Sequence, residues 1–158
     1  MPNASSSPLV AGGRWSAGNQ SRWVGNHAKS VAFELEAGNR IAAWMNSVRP
    51  VLVVRCLDGK TDAFVFTETA ARIEPQDDNH TVALAFGAES AVTERWPDSE
   101  NHDALFAPNG ETFARRLATE RVLRFGFTPH NAPPVTASFD LAGVDTAVRA
   151  VGAACKWK

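Results

Sequence analysis

Apolar and polar positions alternate with a period of two along most of this chain, the mark of strands that bury one face. The clearest stretch is Arg49 to Phe66, RPVLVVRCLDGKTDAFVF, where two β-rich runs flank Asp58-Gly59. Asp-Gly between such runs predicts a tight hairpin turn. Alternation puts Leu52, Val54 and Cys56 on one face of the first run, with Val51, Val53 and Arg55 on the other. The pattern recurs at Val31 to Glu36, with Val31, Phe33 and Leu35 inward and Ala32, Glu34 and Glu36 outward. It returns at Thr81 to Phe86 (Val82, Leu84, Phe86), at Ala91 to Trp96, at Arg121 to Phe127 (Leu123, Phe125, Phe127) and at Val135 to Leu141. Leu105-Phe106 returns to the core after a polar loop from Asp98 to Asp103. Arg14 to Ser16 and Ser21 to Val24 are expected to be short edge strands, with Trp15 and Trp23 as core plugs.

Two segments carry helical spacing instead. Phe113 and Leu117 lie one turn apart between Thr112 and Thr119. After Ala142-Gly143, the residues Val144, Val148, Val151 and Cys155 recur on one helical stripe. Ile41, Trp44 and Met45 also fall at helical spacing, so Arg40 to Asn46 is read as a short helical turn or a loop crossing. The expected fold is mainly β with two short α-helices: an antiparallel β-sandwich-like single domain over residues 14–158. Residues 1–13, with Ser5, Ser6, Ser7 and Pro8, are expected to be a disordered linker stub.

Composition changes this picture little. The chain has 158 residues, 44% of them apolar, enough for one real core. A net charge of −1 argues against nucleic acid or an anionic membrane as the partner. No run of about 18 apolar residues is present, so no membrane-spanning segment is expected. The linker-like start is compatible with a signal peptide or membrane anchor further upstream in a precursor.

Candidate chemistry begins with the cysteines. Cys56 and Cys155 both face the core, so they form either a disulfide or two inert buried thiols; an oxidising compartment favours the first and the cytosol the second. The disulfide is the preferred reading. Closing a loop of roughly 100 residues is worth about 4–5 kcal/mol in the chain-entropy treatment, as an upper figure. A catalytic thiol needs a partly exposed, electropositive setting that neither position offers.

The histidines His27, His80, His102 and His130 all fall in predicted loops. Asp77, Asp78 and His80 cluster, as do Asp98, Glu100, His102 and Asp103, and such groups can ligate a divalent cation. Neither cluster follows a calcium-loop or zinc spacing, and solvated acidic loops account for both. Ser99 lacks a nucleophile-elbow motif, and no glycine pattern makes a phosphate cradle. No catalytic residue, metal site or cofactor is therefore assigned.

In this order, RPVLVVRCLDGKTDAFV, RIEPQDDNHTVALAF, ERWPDSENHDALFAP, RRLATERVLRFGF and PPVTASFDLAGVDTAVRAVGAACKW, the segments resemble the VasI-type proteins associated with bacterial type VI secretion. That family typically has an L-x-x-R-C strand, here Leu52 to Cys56. A W-x-x-S stretch precedes an apolar pair, here Trp96, Ser99, Leu105 and Phe106. An F-x-L-x-G segment leads to a helix closing in A-C-x-W, here Phe139, Leu141, Gly143, Ala154, Cys155 and Trp157. The resemblance covers the chain from about Arg49 onward. Before that the fit is loose, and Asn26-His27-Ala28-Lys29 stands where the family carries an acidic pair.

The resemblance implies an envelope-located accessory or binding domain without established catalysis. The leading expectation is thus a non-enzymatic periplasmic or extracellular module whose partner is a protein or cell-envelope component. One alternative is a hydrolase or metal-dependent enzyme using the acidic and histidine loops between Asp77 and Asp103. Convergence of two acids and a histidine in one cleft would promote that alternative. The other is a cytoplasmic protein-interaction domain with both thiols reduced.

Overall fold

The computed structural model describes residues 15–16, 20–25 and 29–158. The expected linker over residues 1–13, and His27, lie outside the described residues.

Two four-stranded antiparallel sheets face one another, as the alternation predicts. The first has the order β1-β4-β5-β8, from Val31–Glu36, Val51–Leu57, Lys60–Phe66 and Ala104–Phe106. The second has the order β10-β9-β6-β7, from Val135–Asp140, Val122–Phe127, His80–Phe86 and Val92–Trp96. At the centre of the first sheet, β4 and β5 pair with Leu57 opposite Lys60. Asp58 and Gly59 both take positive φ, 52° and 80°, as a two-residue hairpin turn of this hand requires.

The apolar positions meet where alternation placed them. Leu52, Val54 and Cys56 share one core with Val82, Leu84 and Phe86 and with Leu123, Phe125 and Phe127. Leu35 belongs to it, with Val31 and Phe33 packed against its edge. Trp96 lies at its centre, 5.2 Å from the Phe113 ring and 5.3 Å from Phe125. The opposite face of the first sheet carries a smaller cluster of Ala32, Val51, Val53, Phe64 and Ala104. Ala32, assigned outward, is buried in this second cluster.

Helix α2, Gly110–Leu117, and helix α3, Val144–Ala154, close the main core with Phe113, Leu117, Val144, Val148 and Val151. Asn109 caps α2 by accepting from the Thr112 N–H. Cys56 and Cys155 are bonded to each other, their Cα atoms 5.6 Å apart. The bond ties the central hairpin to the end of α3.

Two local expectations are corrected. Ser21 to Val24 is not an edge strand: it lies in a third helix, α1, Gln20–Val24. Trp23 and Val24 are only 7% and 5% exposed and join the same smaller cluster. Consecutive residues on a strand would point to opposite faces, whereas a helical turn lets both pack on one surface. Trp23 is thus buried as expected, but not in the main core. Ser16, from the other segment expected as an edge strand, exchanges two backbone hydrogen bonds with Glu34 of β1.

Arg40 to Asn46 is neither a helical turn nor a plain crossing. It belongs to a small hairpin of β2, Ile41–Ala43, and β3, Asn46–Val48. Ile41 and Val48 pair and bury, leaving Trp44 and Met45 as the turn. The helical spacing of Ile41, Trp44 and Met45 was incidental, because only Ile41 enters the core.

Candidate functional site

One end of the sandwich gathers loops from distant parts of the chain around a cleft of about 620 Å³. Ala70, Ala71, Ile73, Glu74, Asp77 and Asp78 line it from the connection after β5. His80 enters from the start of β6, Asp98 and His102 from the loop after β7, and His130 from the loop after β9. Backbone pairing fixes two of these walls together. The His130 N–H donates to the Ala70 carbonyl and the Arg72 N–H to the Thr128 carbonyl, both at 2.8 Å.

Asp98 is the polar centre. Its Oδ2 lies 2.7 Å from His102 Nδ1 and 3.3 Å from His80 Nε2. His80 is buried, and its Nδ1 sits 2.9 Å from the Arg72 carbonyl oxygen. A carbonyl only accepts, so this nitrogen carries the proton and Nε2 is turned to Asp98. The Asp98 hydrogen bond, and then the Asp98 charge, raise the His102 pKa above its ordinary value. His102 takes φ 60°, a left-handed conformation that a non-glycine residue holds only where its surroundings impose it.

Ser99 supplies that constraint. Its hydroxyl donates to Asp103 Oδ1 at 2.8 Å and accepts the N–H groups of Asp103 and Ala104. The hydroxyl is fully engaged in closing the loop.

Beside the histidines stands an ion-pair network. Arg95 on β7 reaches Glu74 Oε1 and Asp77 Oδ1, each at 2.6 Å. Burial by itself would raise the Glu74 pKa. The Thr81 N–H, the Arg95 guanidinium and the Thr81 hydroxyl outweigh that and bring it down to about 2. Asp77 is also lowered, chiefly by its hydrogen bond from Arg95. Asp78 has no ion-pair partner among the described residues and is exposed.

The rim is apolar. Ile73 is 81% exposed, Met45 84% and Trp44 56%, three of the four large apolar side chains most open to solvent. Trp44 stands edge-on to the His130 ring, 5.9 Å between centroids, so the hairpin tip adjoins the cleft.

The structure therefore brings together Asp77, Asp78 and His80 from one sequence cluster, Asp98 and His102 from the other, and His130. Glu100 and Asp103 turn away to line hollows on the other side of the loop. Among the described residues no three His, Cys, Asp or Glu side chains are arranged to hold a metal ion. Trp44, Met45, Ile73 and Arg95 were not singled out for this site. Exposed aromatic and aliphatic residues in turns were the available signal, obscured at Trp44 by the helical reading.

No protein family, curated protein or solved structure matches this chain in the comparisons made. Among the described residues, no helix is long and apolar enough to cross a membrane.

Proposed function

We propose that this protein is a non-enzymatic binding domain acting outside the cytoplasm, an accessory of the bacterial envelope whose recognition surface is the loop cleft. The observation that carries this reading is exposed apolar surface at a cleft held by backbone pairing: Ile73 in its lining, and the Trp44-Met45 turn reaching it through the Trp44–His130 contact. Large apolar side chains clustered in solvent mark interaction sites far more often than scattered ones do. The Cys56–Cys155 bond supports an oxidising compartment. The resemblance to VasI-type proteins supports an association with type VI secretion, with a protein or envelope component as partner.

The test is capture from the native envelope fraction by the intact protein, by a Trp44→Ala/Ile73→Ser variant, and by a variant altered on the opposite cluster at Phe66. The reading expects one partner lost only with the cleft variant. Equal capture by all three would overturn it. Two alkylatable thiols in protein taken from its native compartment would overturn the extracytoplasmic assignment.

One observation favours a second reading, a hydrolase: Asp98 sits between His80 and His102 in one cleft, and a polarised histidine can act as a general base. That reading needs a nucleophile other than Ser99, whose hydroxyl is committed, and so an activated water. Turnover of ester, phosphoester or peptide substrates that disappears in Asp98→Asn would establish it.

A further inference from the structure

Resting on the cleft reading above, we propose that the occupant is a protein segment presenting a lysine or arginine beside large apolar residues. The lining of the cleft includes four carboxylates, Glu74, Asp77, Asp78 and Asp98, three histidines, and no lysine or arginine. Arg95, from behind, offsets Glu74 and Asp77 through one guanidinium shared by two acids. His102 offsets Asp98 only when protonated, and Asp78 is left open to solvent without an ion-pair partner among the described residues. The floor thus keeps a negative surplus at neutral pH, and that surplus is unevenly placed, greatest at Asp78.

Apolar surface borders the same floor. Ile73, only five residues before Asp78, stands in solvent on one wall. Trp44 stands beside His130, and Met45 follows it in the exposed hairpin turn. A segment whose cation lies at Asp78 therefore has an aliphatic neighbour at Ile73 in the same lining, and the exposed Trp44 ring next to His130 at the border of the cleft. Lysine and arginine side chains pair an apolar stem with a charged head in this way, and Trp is the strongest aromatic partner for a cation.

A purely apolar ligand would leave the carboxylates facing a dry contact, which is costly. An acidic ligand would add like charge. A second copy of this chain is the remaining rival, and it would have to set one acidic floor against another if it paired through a two-fold axis.

The test uses the full chain with its disulfide intact and three ten-residue peptides. One combines lysines with leucines, the second replaces each lysine by glutamate, and the third replaces each leucine by serine. Binding is read by titration calorimetry and mapped by backbone amide NMR shifts. The expected result is binding of the lysine–leucine peptide, with shifts at Ile73, Asp78, His130 and Trp44. The other two peptides bind at least tenfold more weakly. Asp78→Lys, on an exposed loop, is expected to weaken the first peptide at least tenfold and to reverse the preference for lysine over glutamate.

If the glutamate peptide binds in the cleft as well as the lysine peptide, the cationic assignment fails while the cleft remains a binding site. If no peptide shifts the cleft amides, or the shifts map to the Phe64–Phe66 face, both the assignment and the reading beneath it fail. A concentration-dependent dimer abolished by Trp44→Ala would give the site to a second copy and overturn the proposal.

Discussion

The two ends of this sandwich are built on opposite terms. Near the C-terminus a covalent bond and ring packing close the structure. The Cys56–Cys155 bond joins β4 to the end of α3, and Trp157 Nε1 donates to the Thr61 hydroxyl at 2.8 Å. Arg115 lies over the Trp157 ring, 4.5 Å from its centroid, and Gly152 leaves room for the same ring. At the loop end, by contrast, large apolar side chains stand in solvent. Backbone pairing and charge networks hold that end. Covalent closure and close packing mark one end, while the other presents Trp44, Met45 and Ile73 to solvent.

Removing the closure should produce the largest change. Replacing both cysteines by alanine, or reducing the bond, is expected to cost about 2–5 kcal/mol of unfolding free energy by denaturant titration. The cleft amides should keep their NMR positions under native conditions. A loss below about 1 kcal/mol would mean the two ends are not divided in this way.

The close packing offers the next test. A Cβ on Gly110 would run into the Thr61 backbone carbonyl, where no side chain can yield. Gly110→Ala is expected to cost about 1–3 kcal/mol, read as a lowered midpoint in thermal or denaturant unfolding.

Acid should act on the loop end selectively. The Glu74 pKa is lowered in the folded protein from 4.5 to about 2, so the carboxylate contributes stability that is fully present above pH 4.5. That contribution fades as pH falls towards 2. Glu74→Gln should flatten the stability profile between those values and leave its shape above pH 5 unchanged. An unaltered acid limb in the variant would show that the Arg95 network does not hold this end.

Smallest of all should be the stability effect of Trp44→Ala, within about 0.5 kcal/mol, because the side chain is open to solvent. A larger loss would give Trp44 a structural role and remove the contrast between the ends.

Much of this architecture was legible residue by residue. Strands β4, β6 and β9 each bury the face that alternation assigned, since a period of two leaves each side chain only two choices. The hairpin turn followed from Asp58-Gly59 because few residue pairs tolerate two positive φ values in succession. Short segments were less readable. Five residues around Trp23 and three around Ile41 are too few for a period to show, so packing against the first sheet and strand pairing decided them. Parts of the site could be anticipated from two acidic–histidine clusters in sequence. Their division could not: Asp98 and His102 face the cleft while Glu100 and Asp103 face away, a consequence of the turn that the Ser99 hydroxyl closes.

The sequence by itself determined the class of fold, the facing of the main strands and the turning of both cysteines towards the core, because local stereochemistry and side-chain period act within a few residues. Only the tertiary structure decided that Ile73, Asp98 and His130 share one cleft and that Trp44 stands at its edge. Those residues are far apart along the chain, and the pairing of loop backbones that unites them leaves no pattern in any one stretch.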